Sequence, residues 1–552
     1  DAAAQGEARL ELADLCERVF KQPDVAAGHL QAALELLGTH RAQAARRLAE
    51  VHGRAERWGD AVHNLRRGIE FEKDSQAKAE LLANLARVLR DRMKQPALAR
   101  QCFERSLELS PGHLKNLESL LRILTAAGDK QAVARQLGAA ADHARDSGRG
   151  DESALRLRRA EVLRELKEIP AAVNEFERVL KLDPDHSGAR AALGELYLET
   201  GDAKGAEKIH RRLLEKDPLA LPSYQALAKA WGEAGKTNER EQAVHVLASL
   251  RAARGRDRQV VEGSSQMPKT KAQIKDEDFS KVLVHPDVQG LIRDFAWHAG
   301  QLLLKQVPSD LGKHDIGWRT PRYAIEGDAF PEHDLLKRIC DLLGITQLEV
   351  YHMNEWRQPE PVLCQGKSGP AIVLCPEVFN GLTEAGKAFV LGRALGTIKL
   401  NLYFFRCVPP EQAKQLVLGA LKGFDPSRAF PGSEDRALRG VVKAFSKAGE
   451  LRESLDTVQK ELWRNRETLD FNAIARGVAA TGSRTGLLVA GGLYPVAQTI
   501  EQTNMSLRGR VPENAAGVMK LFREVPELCD LAPFAVSRGY LKLREACLRL
   551  VL

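Results

Sequence analysis

Histidine and cysteine are the side chains in the second half of this 552-residue chain that could most readily hold a metal ion. His352 and Glu355 lie three residues apart at the end of an apolar run, and a β-hairpin would bring Cys364 and Cys375 opposite each other. The spacing His-x2-Glu lacks a third close ligand, so it is weak evidence for a metal site. We expect no metal and no other cofactor; a displaced metal site that uses His352, Glu355 or His333 is the alternative.

A phosphate-binding loop is a second possibility, because Gly366-Lys367-Ser368 has the order that ends a Walker A motif. That motif needs a glycine five residues before Gly366, where this chain has Pro361, and a helix afterwards, where this chain has a β-like run. The triplet therefore predicts a hairpin turn. The run TGSRTG at 481–486 lacks the order GxGxxG and a preceding strand, so we interpret it as a break between helices.

Composition limits the class of protein. The chain is 44% hydrophobic, 28% charged and only 5% aromatic, which excludes collagen, a disordered chain and a multi-span membrane protein. Its net charge is +8 and the charges are interspersed, so nucleic acid is suggested only by the pI near 9.0 and is not expected. Eight cysteines without CxxC predict reduced thiols and a cytoplasmic protein. Because the chain begins at Asp1 without methionine, we expect it to be part of a longer one.

The elements around these residues are predicted from periodicity. Helical patterns cover about 285–306 and 333–343, and β-like runs follow at 347–353, 361–365 and 371–375. A helix is predicted from Thr383 to Asn401 (TEAGKAFVLGRALGTIKLN), and the remainder to Leu552 is almost entirely helical. The order is a hairpin, then a helix, then later helices.

This order and the run LTEAGKAFVLGRALGTIKLN resemble zinc metallopeptidases of the CAAX-prenyl-protease and HtpX type. The resemblance implies that a first zinc-binding His, a general-base Glu and a second His would stand at Arg393, Ala394 and Thr397. It also implies that Ala479 replaces the third ligand and Ser483 a later Asp. None of these side chains suits zinc catalysis, and no histidine follows Met353. The resemblance therefore implies a pseudopeptidase without catalytic or metal-binding residues.

The first 254 residues carry an internal repeat. Pro184 and Pro218 lie 34 residues apart, and the residues before them recur at the same spacing: Ala172 with Ala206, Ala160 with Gly194 and Ala228, and Leu163 with Tyr197 and Trp231. Small residues let paired helices approach closely and large ones fill the space between turns. Gly201-Asp202 and Gly235-Lys236 are expected to end the first helix of a pair, and proline the second.

This pattern resembles the tetratricopeptide (TPR) repeat, with about seven units that begin near 8, 42, 77, 114, 153, 187 and 221. The resemblance implies a groove lined by the first helix of each unit. The basic residues expected there are Arg46, Arg87, Arg90, Lys115, Arg122, Arg164 and Lys229, and the acidic ones are Glu50, Glu80, Glu118, Glu161 and Glu195. Ordinary solvated charges without a ligand are an equal alternative for any one of them. We find no regular Lys/Asn/Arg set typical of a carboxylate clamp.

Together these patterns predict a mainly α protein. An N-terminal α-α solenoid of TPR-like hairpins covers 1–254, a linker 255–276, and a mostly helical α+β domain with a small hairpin-containing sheet 277–552. The function predicted is a non-catalytic scaffold that binds other proteins or peptides, with no evident small-molecule substrate and no membrane span. The alternative is a metal-dependent peptidase with a displaced site.

Overall fold

The computed structural model describes most of the chain. The described residues are 2–36, 38, 40–262, 266–288, 290–307, 311, 316–317, 320–327, 330–353, 361–367, 369–375, 379, 381–429, 436–504, 506–507 and 509–548. Contacts between residues divide the chain into two compact units, 1–196 and 197–552. Among the described helices, none combines the length and the apolar character needed to cross a lipid bilayer.

Up to residue 250, the described part of the chain forms fourteen helices in seven consecutive pairs. The first helices of the pairs are α1 (Ala2–Arg18), α3 (Arg41–Arg54), α5 (Ser75–Asp91), α7 (Leu114–Ala126), α9 (Glu152–Glu165), α11 (Ser187–Glu199) and α13 (Leu221–Glu233). The second helices are α2 (Pro23–Glu35), α4 (Trp58–Phe71), α6 (Pro96–Leu109), α8 (Lys130–Ser147), α10 (Ile169–Leu182), α12 (Ala203–Lys216) and α14 (Thr237–Ser249). The predicted solenoid of helical hairpins is confirmed.

The turn inside each pair has one backbone geometry. In all seven pairs, the residue two positions before the second helix has a positive φ. Three are glycines at 69° to 72°, namely Gly128, Gly201 and Gly235, and four are Lys21, Glu56, Lys94 and Lys167 at 50° to 61°. Glycine adopts this left-handed conformation without the steric cost that a Cβ brings. The glycine signal in the sequence therefore marks the turn where glycine is present and misses the same turn elsewhere.

Close helix packing and one buried ion-pair network hold the repeats of the first unit together. Ala160 and Ala172 are fully buried, as the repeat pattern predicts. Arg156 on α9 is only 1% exposed and bonds carboxylates from three helices: Glu152 at 2.5 Å, Asp142 at 3.0 Å and Glu175 at 3.1 Å. Burial lowers the pKa of Arg156, but these three carboxylates outweigh burial and raise it above its usual value. The guanidinium therefore stays charged.

The second unit contains the last repeat helices and a larger helical body. The helices after α14 are α15 (Arg256–Glu262), α16 (Asp276–Asp278), α17 (Leu291–Leu304), α18 (His333–Leu343), α19 (Glu384–Leu395), α20 (Phe404–Cys407), α21 (Pro410–Phe424), α22 (Arg436–Ser446), α23 (Gly449–Ser454), α24 (Asp456–Arg464), α25 (Phe471–Ala490), α26 (Leu493–Thr503), α27 (Ala515–Arg523), α28 (Pro526–Ala535) and α29 (Arg538–Cys547). Short turns of other helical types cover Phe279–Leu283, Pro286–Val288 and Lys399–Asn401.

A four-stranded mixed sheet belongs to the same unit. Its strands are β1 (Arg322–Ala324), β2 (Glu349–His352), β3 (Val362–Gln365) and β4 (Pro370–Leu374), in the order β1-β2-β4-β3. β2 and β4 are parallel, and the other neighbours are antiparallel. The predicted hairpin joins β3 to β4, where the Gly366 amide donates to the Gly369 carbonyl at 2.8 Å. Ser368 lies outside the described residues, and β1 was not predicted.

The predicted linker region has defined contacts. Residues 256–262 are helical, and Met267 and Ile274 are buried among the core residues of the second unit. The Lys271 amide donates to the Cys547 carbonyl at 2.7 Å. α14 also packs on α26, α28 and α29, so the last repeat shares the core of this unit. The domain limits at 254 and 277 stay a prediction.

Two helix predictions differ from the structure. The helix expected over 383–401 ends at Leu395. It could not continue to 401, because Leu400 and Asn401 have positive φ values that an α-helix excludes. The run 481–486 is not a break but lies inside α25. Its two threonine hydroxyl groups donate within the helix, from Thr481 and Thr485 to the carbonyls of Gly477 and Thr481 at 2.8 and 2.9 Å.

Candidate functional site

Glycines bring α19 and α25 close together. A Cβ on Gly486 would lie 2.7 Å from the Phe389 carbonyl oxygen, and one on Gly396 would lie 2.5 Å from the Thr485 side chain. A Cβ on Gly482 would likewise clash with the Arg393 carbonyl group. These contacts explain why the run 481–486 is rich in glycine and still helical: the glycines allow the two backbones to approach.

A cavity of about 490 Å³ opens beside these two helices. Its lining combines an apolar floor, three arginines, three acidic residues, a histidine and a serine: Ala479, Ala480, Pro526, Arg393, Arg406, Arg476, Asp287, Glu527, Asp530, His285 and Ser483. The volume is within the range of small-ligand pockets. The cavity thus brings together Arg393, Ala479 and Ser483, three of the positions that the sequence analysis singled out.

Arg393 is bound to a carboxylate in this cavity. Its Nη1 lies 3.1 and 3.3 Å from the two carboxylate oxygens of Glu527, and the Ser483 hydroxyl donates to the same carboxylate at 2.5 Å. The Arg393 side chain is only 12% exposed and its guanidinium lies 4.9 Å from the centre of the Phe389 ring. Glu527 is therefore neutralised by a guanidinium that cannot lose its proton, and its oxygens are occupied.

A second ion pair occupies the neighbouring wall. Arg484 donates from Nε and Nη2 to the two oxygens of Asp530 at 2.9 and 2.5 Å, and His285 Nε2 lies 3.7 Å from the same carboxylate. Burial and the nearby Arg484 charge lower the pKa of His285. His285 is thus neutral at pH 7, and its Nδ1 accepts from the Asp287 amide at 3.2 Å. Within the described residues, no three His, Cys, Asp or Glu side chains are arranged to hold a metal ion.

The remaining positions of the degenerate motif are buried. Ala394 is 8% exposed, and Thr397 is 1% exposed with its hydroxyl donating to the Ala394 carbonyl at 2.8 Å. Neither presents a reactive group to the cavity. Glu527, Asp530, His285 and Arg484 were not singled out from the sequence, because their partners lie tens of residues away and no short motif contains them.

The residues of the displaced-site alternative lie near the sheet. His352 Nε2 lies 3.3 Å from the Glu332 carboxylate, and the interaction with this histidine lowers the pKa of Glu332. His333 Nε2 lies 3.2 Å from the Ile325 carbonyl oxygen. Glu355 lies outside the described residues. Cys364 faces Ala371 across the hairpin rather than Cys375, because Cys375 follows the last paired residue of β4.

Ion pairs connect the first helices of successive repeats in the first unit. Arg47 on α3 bonds Glu17 on α1 at 2.9 Å. The pairs Arg158 to Glu118 at 2.5 Å and Arg164 to Glu195 at 2.6 Å connect α9 to α7 and to α11. These pairs place the charged side chains of neighbouring first helices on one shared surface, which we call the inner face: the exposed side of α1, α3, α5, α7, α9 and of α11 up to residue 196.

The seven predicted groove cations differ in their contacts. Four are paired: Arg46 with Glu50 at 3.9 Å, Arg90 with Asp91 at 2.6 Å, Arg164 with Glu195, and Lys229 with Glu233 at 4.0 Å. Arg87, Lys115 and Arg122 are exposed, and within the described part of the chain no carboxylate lies within ion-pair distance of them. The resemblance to the TPR repeat places the groove residues at the second, fifth, ninth and twelfth positions of a repeat. Arg47 and Arg158 were missed because neither stands at one of these positions.

Comparisons with known proteins support TPR repeats in the N-terminal half. Residues 163–230 and 79–113 each match a family model described as tetratricopeptide repeat. A TPR protein from Parabacteroides merdae is similar at 16% identity, with 37% of this chain and 78% of that chain covered and a TM-score of 0.22. YrrB, a TPR protein with an unusual peptide-binding site, has 19% identity, 35% and 98% coverage and a TM-score of 0.23. Pseudomonas aeruginosa pilF is similar at 17% identity, with 41% of this chain and 99% of that chain covered and a TM-score of 0.21. No curated protein matches the chain significantly.

Proposed function

We propose that this chain is a non-catalytic scaffold that binds other proteins or peptides on the inner face of its repeats. The observation that carries the proposal is the set of helix pairs with TPR matches whose first helices expose charged side chains on one surface. Such solenoids present extended binding surfaces because each repeat contacts only its neighbours and one helix row stays exposed. YrrB, a structural neighbour, is a TPR protein that has a peptide-binding site.

The second part of the proposal concerns the C-terminal unit, which resembles a CAAX-prenyl-protease or HtpX type peptidase and is inert. Its support is the cavity between α19, α25 and α28, because Arg393 and Ala479, the positions aligned with the first and third zinc ligands, both line it. Hydrolysis by that chemistry needs a metal with an open coordination position and a free base. Here the carboxylate nearest to Arg393 is bound by that guanidinium and by Ser483.

Partner capture by the full chain tests the scaffold. Immobilised wild-type chain is compared with a variant that changes three exposed inner-face charges, namely Arg46→Glu, Arg122→Glu and Glu161→Arg. The matched control changes the same number and signs on second helices, namely Arg66→Glu, Lys181→Glu and Glu70→Arg. Partners identified by mass spectrometry should be lost from the inner-face variant and kept by the control. Equal capture by both variants, or no capture by the wild type, contradicts the proposal.

A metal and activity assay tests inertness against the displaced-site alternative. The full chain, purified with zinc present, should contain far less than one zinc per molecule and should cleave no unfolded protein substrate. Stoichiometric zinc that is lost in His352→Ala or His333→Ala, together with cleavage stopped by a chelator, would establish the metal-dependent peptidase instead.

A further inference from the structure

The inner face is not uniformly charged, and internal ion pairs neutralise part of the charge near each of its ends. On one side, Arg47 bonds both Asp14 and Glu17, at 3.1 and 2.9 Å. On the other side, Arg158 neutralises Glu118 and Arg164 neutralises Glu195. Charges that satisfy each other in this way contribute little net attraction to a passing partner.

The middle of the inner face, formed by α5 and α7, is different. Arg87, Lys115 and Arg122 are exposed there without a carboxylate at ion-pair distance in the described part of the chain. Glu118 lies between the two α7 cations, but its charge is already bound by Arg158 at 2.5 Å. Within the described residues, the acids without an ion pair on the first helices of this unit are Glu7 and Glu11 on α1, Glu80 in the first half of α5 in a hollow shared with Arg46, and Glu161 on α9.

The spacing of these cations is regular. Lys115 and Arg122 are seven residues apart on α7, so they lie on one side of the helix about 10 Å apart along its axis. Arg87 follows the buried Leu82 on α5 by five residues, as Arg122 follows the buried Leu117 on α7, and packed helix axes are about 8–10 Å apart. An extended chain in the polyproline II conformation has three residues per turn and advances about 3.1 Å per residue, so carboxylates three residues apart lie on one side about 9 Å apart and match each of these separations.

We propose that α5 and α7 bind an extended acidic segment of a partner protein, with acidic residues spaced about three apart, through Arg87, Lys115 and Arg122. This inference rests on the proposed function and adds the chemical class of the partner. Like charges concentrated on one surface and left without internal partners attract an oppositely charged segment, and they do so more strongly at low salt.

Fluorescence anisotropy with the full chain tests the inference. The probe is a labelled 15-residue peptide with glutamate at every third position in a Gly/Ser background, and the control probe carries glutamine instead. We expect saturable binding of the acidic probe, at least tenfold weaker binding of the glutamine probe, and affinity that falls as NaCl is raised from 50 to 300 mM.

Charge-changing variants assign the surface. Arg87→Glu, Lys115→Glu and Arg122→Glu together should weaken binding at least tenfold, and the milder set with glutamine at the same positions should weaken it by an intermediate factor. The matched control Arg66→Glu, Arg135→Glu and Lys181→Glu changes net charge equally on second helices and should stay within twofold of wild type. Circular dichroism spectra that superpose on wild type show that each variant is folded.

Four outcomes overturn the inference: equal binding of both probes, equal loss in the control variant, no loss in the triple variant, or tighter binding of random duplex DNA than of the acidic peptide at equal salt. If partner capture persists while the acidic probe does not bind, the scaffold proposal stands and only the partner class is wrong. If the wild type captures no partner, the scaffold proposal itself fails.

Discussion

The inner face of the repeats and the cavity of the C-terminal unit use the same side chains with opposite results. At the cavity, Arg393 is bound to Glu527 and Arg484 to Asp530, so these four charges neutralise each other in pairs. On the inner face, pairs such as Arg158 with Glu118 join neighbouring helices, while Arg87 and Arg122 keep their charge exposed. The two surfaces thus differ in the balance of paired and unpaired charge rather than in residue type.

The glycines of the two regions differ in the space around them: Gly486 is tightly packed and Gly28 is open. Replacing each with alanine gives the largest expected effect. Gly486→Ala would place a Cβ 2.7 Å from the Phe389 carbonyl oxygen and should destabilise the second unit by about 3 kcal/mol. Gly28→Ala, in an exposed repeat helix with no atom within 4 Å, should stabilise its unit by about 0.5–1 kcal/mol. Urea denaturation of the full chain measures both changes in the free energy of unfolding. Changes of the same sign would contradict the expected difference in packing.

Substitution of Arg393 tests whether its ion pair with Glu527 stabilises the second unit. Arg393→Ala leaves the partly buried Glu527 without its guanidinium and should destabilise the second unit by about 2–3 kcal/mol. Adding Glu527→Gln removes the uncompensated charge and should restore more than half of that loss. If the urea midpoint of Arg393→Ala equals that of the wild type, the ion pair has no structural role.

Acid should weaken the second unit through Glu207. Burial raises the pKa of this carboxyl, but the bonds from Arg538 and Trp231 and the charge of Arg211 outweigh it and lower the pKa to about 2. Its folded pKa is below the unfolded value near 4.5, so its contribution of roughly 2–3 kcal/mol is present above pH 4.5 and is lost between about pH 4.5 and 2.

Thermal melts across that pH window check this expectation. The melting temperature of wild type should fall more steeply between pH 5 and 3 than that of Glu207→Gln, which lacks the titrating group. Parallel curves for the two proteins would remove Glu207 as a source of acid sensitivity.

The smallest effect concerns the turns of the repeats. Gly128 and Lys94 occupy equivalent turn positions with positive φ, and no atom lies within 4 Å of a Cβ built on Gly128. Gly128→Ala should cost about 1 kcal/mol, and Lys94→Gly should gain a few tenths, because only the backbone strain of the left-handed conformation changes. Denaturant midpoints of the first unit measure both; a stabilising Gly128→Ala would mean that the turn is not strained.

The repeats were predictable because their contacts are local. Positions such as Ala160, Ala172 and Gly201 recur with a 34-residue period. The two alanines are buried where helices pack, and Gly201 has the positive φ of the turn between two helices of one repeat. The hairpin of β3 and β4 is also local and was predicted. The cavity was not, since Arg393 bonds Glu527, a residue 134 positions later, and no periodicity reports such a contact. The prediction of a helix break at 481–486 was wrong for the same reason. The glycines of this run pack against α19, which is distant in the sequence.

The most direct test of the account compares two surface variants of the full chain against one partner identified by capture. The inner-face variant carries Arg87→Glu, Lys115→Glu and Arg122→Glu, and the cavity variant carries Arg406→Glu and Arg476→Glu. The dissociation constant should rise at least tenfold for the inner-face variant and stay within twofold for the cavity variant, with the partner intact afterwards. Loss of binding only in the cavity variant, or cleavage of the partner that a chelator prevents, would contradict a scaffold that binds through its repeats.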